Sequence, residues 1–164
     1  MRQIRVYILI MAFLIGMPFS SFAFSARTPE SLSSFLLKDF VFVDDQSQFG
    51  KADYWQTSEE FLKNKKGDCE DFAIFATEFL NREHIQSLIV SVYGANGLAH
   101  TVTVFIENSR YRIMDRGEIL TPAELSIEKT LSLAYPEWTW ACLALPSHGR
   151  GRAIKTFKNP NLPT

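Results

Sequence analysis

The sequence predicts an α+β domain in which one long helix packs on an antiparallel β-sheet. A helix is expected over residues 68–82, where apolar side chains recur every three or four positions. Three β-like runs follow, at Ser87–Tyr93, Ala99–Ile106 and Arg110–Asp115, and short turn-forming segments separate them. Strands joined by such short turns pair antiparallel, and the apolar face of the helix must then be buried against their sheet.

The beginning of the chain has the features of an export signal. Arg2 and Arg5 precede an apolar run at Val6–Phe19. Ser21-Phe22-Ala23 then places small residues at the positions that a signal peptidase reads. The apolar run is shorter than the ~20 residues of a membrane-spanning helix, so an uncleaved anchor is the weaker alternative. We expect residues 1–23 to be a signal peptide.

The remainder has the size and composition of one domain, which we assign to residues 24–145. The chain of 164 residues is 46% hydrophobic, which is ordinary for a globular protein. Its net charge of −1 becomes −3 without the signal, because the signal contains two arginines and no acidic residue. A charge this close to neutral argues against nucleic acid as the main partner.

The end of the chain, residues 146–164, is rich in glycine, proline and basic residues. Such a composition predicts a basic, loosely ordered C-terminal tail. A solvated tail is favoured over contact with an anionic surface. The cations that would suit such a surface are Arg150, Arg152, Lys155 and Lys158.

Short elements are expected before the long helix. A helix at Pro29–Lys38 leads into an extended run at 39–43. The polar segment Asp44–Ala52 is expected to be a loop. Thr57 then suits the N-cap of a short helix with acidic residues in its first turn, and Gly67 suits its C-terminal cap.

The long helix begins at a cysteine in a setting that suits a nucleophile. Asp68 is a good N-cap, and the acids Glu70 and Asp71 match the positive end of the helix dipole. Cys69 lies in the first turn, where backbone N–H groups favour a thiolate and can also stabilise an anionic tetrahedral oxygen. The stripe of this helix that faces inward is Cys69, Phe72, Ala73, Phe75, Ala76, Phe79 and Leu80.

His100 and Asp115 lie on adjacent predicted strands, and the turn between these strands fixes their relative position. If Glu107-Asn108 form a two-residue turn, His100 lies directly opposite Asp115. If Asn108-Ser109 form it, the aspartate faces Val102 and still shares the face of the histidine. A three-residue turn keeps them on one face only if a bulge intervenes. The spacing therefore favours a His–Asp pair.

Cysteine, histidine and aspartate together have the chemistry of acyl transfer. A thiolate attacks a carbonyl, a histidine activates it and protonates the leaving group, and a carboxylate orients the imidazole. Each residue alone has a structural reading: Cys69 as a buried core thiol, His100 as a strand residue and Asp115 as a turn residue. A zinc site is the weaker alternative, because the sequence has no close-spaced cysteine pair.

A second cysteine, Cys142, lies in the predicted final strand Trp138–Leu145, which follows a predicted helix at Pro122–Leu133. This strand is apolar, so a buried and inert thiol is expected. The alternative is a disulfide between Cys69 and Cys142, because exported thiols pair where geometry permits.

Five segments carry a resemblance to a known family over about residues 42–120. They are Asp53-Tyr54-Trp55-Gln56-Thr57, Glu60-Phe61-Leu62, Lys66-Gly67-Asp68-Cys69-Glu70-Asp71-Phe72-Ala73-Ile74, Ala99-His100-Thr101-Val102 and Met114-Asp115. The chain resembles the bacterial transglutaminase-like cysteine proteinases, members of the transglutaminase-like superfamily. This resemblance implies a papain-like core, in which the helix that bears the nucleophile packs on the antiparallel sheet.

The same resemblance implies an exported cysteine peptidase or amidase with a Cys69–His100–Asp115 triad, resident in the periplasm. Members of the family trim cell-surface adhesins, so the expected partner is a protein or peptide substrate in the cell envelope. Two alternatives stay open. One is a module with an idle triad that binds peptide or cell wall, and the other is a transglutaminase that admits an amine instead of water.

The resemblance also concerns the surroundings of the nucleophile. Asp68 and Glu70 match calcium-binding positions of the family, although the chemistry itself requires no cofactor, and both acids also suit a helix start. Trp55 matches a tryptophan near that site. Trp55 and Gln56 are therefore expected to line the substrate cleft or assist an oxyanion site, with core packing as the alternative for Trp55.

Overall fold

The computed structural model describes residues 27–161, except 96, 98 and 148. The segment expected to be a signal peptide lies outside these residues, so that expectation stays a prediction. In the described part of the chain, no helix combines the length and apolar character needed to cross a membrane.

Helices and strands alternate irregularly along the described residues. The helices are α1 (Pro29–Asp39), α2 (Asp45–Phe49), α3 (Ser58–Asn64), α4 (Cys69–Arg82) and α5 (Ile127–Ala134). The strands are β1 (Val41–Phe42), β2 (Lys66–Gly67), β3 (Ser87–Gly94), β4 (Ala99–Glu107), β5 (Arg110–Asp115), β6 (Glu118–Ile119), β7 (Trp138–Ser147) and β8 (Arg150–Lys158).

Six of the strands form one antiparallel sheet in the order β6-β5-β4-β3-β7-β8. The short strands β1 and β2 form a separate parallel pair. Asn108 and Ser109 make the turn between β4 and β5, and both have positive φ angles, 50° and 62°. Such angles belong to the two-residue turns that match the twist of paired strands. The predicted α+β class with an antiparallel sheet is confirmed.

The sheet is covered on both faces. The helix α4 packs on one face together with α1 and α3, and it buries its predicted apolar stripe except for Cys69, which is half-buried. The helix α5 packs on the other face through Ile127 and Leu131. The helix α4 packs on β4 and β3, and its first turn therefore lies near the strand ends that carry the candidate site.

The structure corrects the expectation of a loosely ordered C-terminal tail. Residues 150–158 form β8, which pairs with β7 from Ser147–Arg150 to Trp140–Lys158. The strand alternates charged residues with Ile154, Thr156 and Phe157, which favour extended structure. The strand forms because it pairs with β7. A composition rich in glycine and basic residues does not reveal such a pairing between segments.

Three smaller differences concern where helices begin and end. The predicted loop at Asp44–Ala52 contains α2, whose start is capped by the Asp44 carboxylate accepting from the Ser47 N–H at 2.8 Å. The helix α3 ends at Asn64 and is capped by Lys65, which has a positive φ of 55°, while Gly67 lies in β2 instead. The helix α5 begins only after Ser126, because the preceding residues are held by a bridge between Tyr111 and Glu124.

Candidate active site

The N-terminal half of α4 is fixed to the sheet by buried hydroxyl groups. Thr103 on β4 donates its hydroxyl to the Ala73 carbonyl of α4 at 3.0 Å. Thr77, one turn further along α4, donates to the Thr103 hydroxyl at 3.2 Å. All three residues are buried, so water does not compete for these bonds. They set the distance between Cys69 at the start of the helix and the strand that carries His100.

Cys69 lies against the strand that bears His100. The backbone N–H of Thr101, the residue after His100, donates to Cys69 Sγ at 3.5 Å. The thiol in turn donates to Glu70 Oε2 at 3.1 Å. Neither cysteine forms a disulfide, and Cys142 is 3% exposed, so its predicted character as a buried free thiol is confirmed.

The electrostatic setting of Cys69 differs from the expectation of a thiolate at a helix start. Burial raises the pKa of the Cys69 thiol well above its ordinary value, and the negative charge of Glu70 acts in the same direction. The Thr101 N–H lowers the pKa, but by less. Desolvation and a neighbouring carboxylate therefore act against the thiolate, and they outweigh the hydrogen bond from the Thr101 N–H.

His100 and Asp115 form the pair that the strand spacing predicts. His100 Nε2 lies 2.9 Å from Asp115 Oδ2. The pairing of Thr103 with Met114 shows that Asn108-Ser109 is the turn, which is the second of the three turns considered. The carboxylate therefore reaches the imidazole diagonally, from the position facing Val102.

Tyr135, at the end of α5, completes this pair and was not predicted from the sequence. Its hydroxyl donates to Asp115 Oδ2 at 2.9 Å, and its ring lies edge-on to the His100 ring at 5.7 Å between centroids. Burial and the charge of Asp115 raise the pKa of Tyr135, so its hydroxyl remains a donor. Twenty residues separate it from Asp115, and no local pattern links the two.

The Asp115 carboxylate is held in its charged form. Burial raises the pKa of Asp115, but the hydrogen bond and charge of His100, the Tyr135 hydroxyl and the charge of Arg116 outweigh it, and the net shift is downward. Arg116 Nε lies 3.2 Å from Asp115 Oδ1. Both carboxylate oxygens are thus occupied, and the carboxylate is fixed in orientation as well as in charge.

A cluster of acidic side chains lies next to Cys69 and includes its sequence neighbours Asp68 and Glu70. Carboxylate oxygens approach one another within 4.8 Å in two overlapping groups, Asp45 with Asp53 and Glu70, and Asp45 with Asp68 and Asp71. Burial, followed by the charge of Glu70, raises the pKa of Asp68 to about 9. Burial likewise raises the pKa of Asp71 to about 6, against its hydrogen bonds from Gln56.

The cluster offers unused oxygen ligands. Among the described residues, Asp45 Oδ1 and Asp68 Oδ1 are buried without a hydrogen-bond partner. Asp45 is 3% exposed, and burial raises its pKa. Asp71, in contrast, already accepts from the Gln56 N–H at 2.8 Å and the Asp68 N–H at 3.2 Å. Buried carboxylates with free oxygens fit a hard divalent cation such as calcium. Asp68 and Glu70 were predicted here, whereas Asp45 and Asp53 come from a segment expected to be a loop.

Trp55 and Gln56 lie in the interior. The Trp55 ring packs with Ala73 and Ile74, and it touches Gly151 so closely that a Cβ there would lie 2.2 Å from the ring. Gln56 is 1% exposed, and its amide nitrogen donates to Asp71 and to the Lys66 carbonyl. These positions favour packing, the alternative considered for Trp55, over lining of a cleft.

A pocket of about 490 Å³ opens beside His100. Its walls include Val92, Ala134, Tyr135 and Trp138. It adjoins the imidazole rather than the acidic cluster, so it offers room for a substrate group next to the residue that would exchange protons with it.

Comparisons with known proteins agree with this architecture. No curated protein matches the chain by sequence. Legionella pneumophila LapG matches in structure with a TM-score of 0.50 and 26% identity, covering 69% of this chain and 62% of that one. The EGTA-treated form of LapG matches with a TM-score of 0.50 and 26% identity, and the match covers 70% of this chain and 63% of that one. The calcium-bound form of LapG matches with a TM-score of 0.50 and 25% identity, and the match covers 76% of this chain and 70% of that one. The chain thus spans less than two thirds of the first two LapG chains.

A family model matches a larger part of the sequence. The model described as a transglutaminase-like domain covers residues 24–134. This range contains Cys69, His100 and Asp115, and it extends over most of the described fold. The chain therefore belongs to the transglutaminase-like domain family.

Proposed function

We propose that this chain is a cysteine peptidase or amidase in which Cys69 is the nucleophile, His100 the general base and acid, and Asp115 the residue that orients the imidazole. The observation that carries the proposal is the 2.9 Å contact between His100 Nε2 and Asp115 Oδ2, on a strand whose next backbone N–H contacts Cys69 Sγ. Since Nε2 faces the carboxylate, Nδ1 is the imidazole nitrogen left to exchange a proton with the thiol.

The reaction would proceed in two steps through one acyl-enzyme. Cys69 Sγ gives its proton to His100 and forms a bond to the carbonyl carbon, and the backbone N–H of Cys69 stabilises the resulting oxyanion. His100 then returns the proton to the leaving nitrogen as the C–N bond breaks. Water, deprotonated by His100, attacks the thioester and releases the acid together with the free thiol.

We include a calcium ion in this proposal, held by Asp68 and Glu70 with Asp45 and Asp53. The free buried oxygens of Asp45 and Asp68 support it, as does the calcium-bound form of LapG among the similar structures. Bound there, the ion would supply positive charge to a cluster of buried carboxylates beside the nucleophile.

The proposed setting is the periplasm, and the proposed substrate is a protein or peptide of the cell envelope. The export signal that the sequence predicts at residues 1–23 supports the location. The pocket beside His100 supports a substrate group on the leaving side of the scissile bond, because the general acid must reach the leaving nitrogen.

An idle triad is the second candidate, and one observation favours it. Burial and the charge of Glu70 raise the pKa of the Cys69 thiol, and both act against the thiolate. A module that only binds peptide or cell wall would tolerate such a thiol, whereas an enzyme must deprotonate it during turnover. An amine-transferring transglutaminase would share the acyl-enzyme and differ only in the second nucleophile.

The test is the hydrolysis of a synthetic peptide library, read by mass spectrometry with calcium present. We expect the wild-type protein to produce fragments, and Cys69→Ala and His100→Ala to produce none while retaining the thermal unfolding transition. Cys142→Ala is the matched control and should remain active. Fragments from purified Cys69→Ala, or none from the wild type, would refute the peptidase proposal, and amine incorporation without hydrolysis would indicate transfer instead.

A further inference from the structure

The strand β8 forms one edge of the six-stranded sheet. It pairs with β7 on one side, and among the described residues no other strand pairs with its outer side. Eight of its nine residues are exposed, and Phe157 is half-buried. An edge of this kind presents a row of backbone N–H and C=O groups that can pair with an additional strand.

The charge of β8 has a single sign. Its sequence contains no acidic residue, and its cations are Arg150, Arg152, Lys155 and Lys158. None of these four forms an ion pair with a described residue, although Lys155 Nζ lies 5.2 Å from the centre of the Phe157 ring. Positive charge on an edge strand discourages pairing between copies of a protein, and it attracts a strand of opposite charge.

Apolar groups accompany these cations on the surface. Arg152 pairs with Leu145 of β7, which is 45% exposed, and Lys155 pairs with Leu143. Ile154, in the irregular part of the pairing, is 52% exposed. A basic and partly apolar edge is matched best by an extended segment that alternates acidic with β-branched side chains.

We propose that β8 is a docking strand for an extended acidic segment of another protein, which would add to the sheet beside it as a seventh strand. A second copy of this chain does not fit this role, because pairing two β8 strands would bring four cations against four. An anionic membrane would attract the cations but offers no ladder of alternating donors and acceptors to the strand edge. This surface is separate from Cys69, His100 and Asp115, so the proposal does not depend on catalysis.

The probe is a nine-residue peptide that alternates glutamate with valine or threonine. Titration into the 15N-labelled wild-type protein should shift the backbone amide signals of β8 and protect them from hydrogen exchange. A counterpart with lysine in place of glutamate should bind at least about tenfold more weakly because its charges are repelled. A glutamate peptide with N-methyl groups on alternate residues should lose binding, because it cannot complete the backbone pairing.

Charge reversal on β8 gives the complementary test. The double variant Arg152→Glu with Lys155→Glu should weaken binding of the glutamate peptide about tenfold. The matched control, Lys38→Glu with Lys63→Glu, changes the net charge equally on exposed residues of α1 and α3 and should bind as the wild type does. Thermal unfolding of both variants verifies that the fold is retained.

Each contrary result would overturn the proposal. These are equal binding of the glutamate and lysine peptides, equal binding of the N-methylated peptide, and no loss in the β8 variant relative to its control. Binding to phosphatidylglycerol vesicles without binding to the peptide would assign the cations to a membrane surface and would also overturn it.

Discussion

Tyr135 donates its hydroxyl hydrogen bond to Asp115 Oδ2 at 2.9 Å, the same oxygen that contacts His100. The tyrosine comes from the end of α5 on one face of the sheet, and Cys69 comes from α4 on the other. The candidate site therefore draws on both helical layers, with the ends of β4 and β5 between them. Asp115 contacts both His100 on β4 and Tyr135 at the end of α5.

Removal of the Tyr135 hydroxyl should weaken the orientation of His100 without removing it. We expect Tyr135→Phe to lower kcat/KM on a cleaved library peptide by roughly tenfold, since a hydrogen bond to a charged group contributes about 1.5 kcal/mol or more. The control is Tyr111→Phe, because within the described chain the Tyr111 hydroxyl has no hydrogen bond. An unchanged kcat/KM in Tyr135→Phe would mean that Asp115 needs no support from α5.

The depressed pKa of Asp115 predicts how stability depends on pH. A carboxyl group whose pKa is lower in the folded state stabilises the protein above its unfolded pKa, which is ordinarily about 3.8, and this contribution disappears as the pH falls through the folded pKa. We expect Asp115→Asn to reduce the free energy of unfolding by about 1–3 kcal/mol at pH 7, with a smaller difference at lower pH.

Denaturant unfolding of wild type and Asp115→Asn from pH 7 down to pH 3 measures this difference. Glu118→Gln removes an exposed carboxylate from the neighbouring strand and should change stability by less than ~0.5 kcal/mol throughout. A difference between wild type and Asp115→Asn that grows on acidification would contradict the assigned sign.

Calcium should stabilise the protein through the acidic cluster. At a calcium concentration about 100 times the Kd, the expected gain is about 2.7 kcal/mol, which thermal unfolding detects as a higher Tm that EGTA reverses. Asp45→Asn should show a smaller gain. Without calcium it should be as stable as the wild type or more so, because it removes one buried carboxylate from a like-charged cluster.

Asp39→Asn is the matched control for the calcium experiment, because Asp39 is exposed at the end of α1, outside the cluster. It should respond to calcium as the wild type does. An identical Tm in calcium and in EGTA for the wild-type protein would remove calcium from the account.

The contact between Trp55 and Gly151 predicts that β8 is part of the folded domain. A Cβ at Gly151 would lie 2.2 Å from the Trp55 ring, so Gly151→Ala should destabilise the protein by about 1–3 kcal/mol. Ala153→Val, at an exposed position of the same strand, should have little effect and serves as the control. Urea unfolding measures the difference. Equal stability of wild type and Gly151→Ala would indicate that residues 150–158 are a loosely ordered tail, as the sequence predicts.

Local chemistry accounts for the parts of the fold that the sequence predicts well. The start of α4 follows from the acidic residues of its first turn, where Asp71 accepts from the Asp68 N–H. Its inner face follows from apolar spacing, and the His100–Asp115 pair from alternation across a two-residue turn. Each of these signals acts between residues that are near in sequence or joined by one tight turn.

The parts that escape prediction depend on contacts between distant segments. Tyr135 contacts Asp115 because α5 packs on the sheet. The strand β8 forms because it pairs with β7. Asp45 enters the acidic cluster from a segment whose composition indicates a loop. The raised pKa of Cys69 likewise reflects burial and Glu70, which a helix-terminus argument omits.

The central claim is that Cys69 and His100 act as a pair, and the alkylation rate of Cys69 tests it most directly. Wild-type and His100→Ala proteins are treated with iodoacetamide at one pH with calcium present, and the rate at each cysteine is mapped by mass spectrometry. The account predicts that Cys69 reacts faster in the wild type than in His100→Ala, while buried Cys142 reacts slowly and equally in both. Equal rates at Cys69 in the two proteins would contradict it.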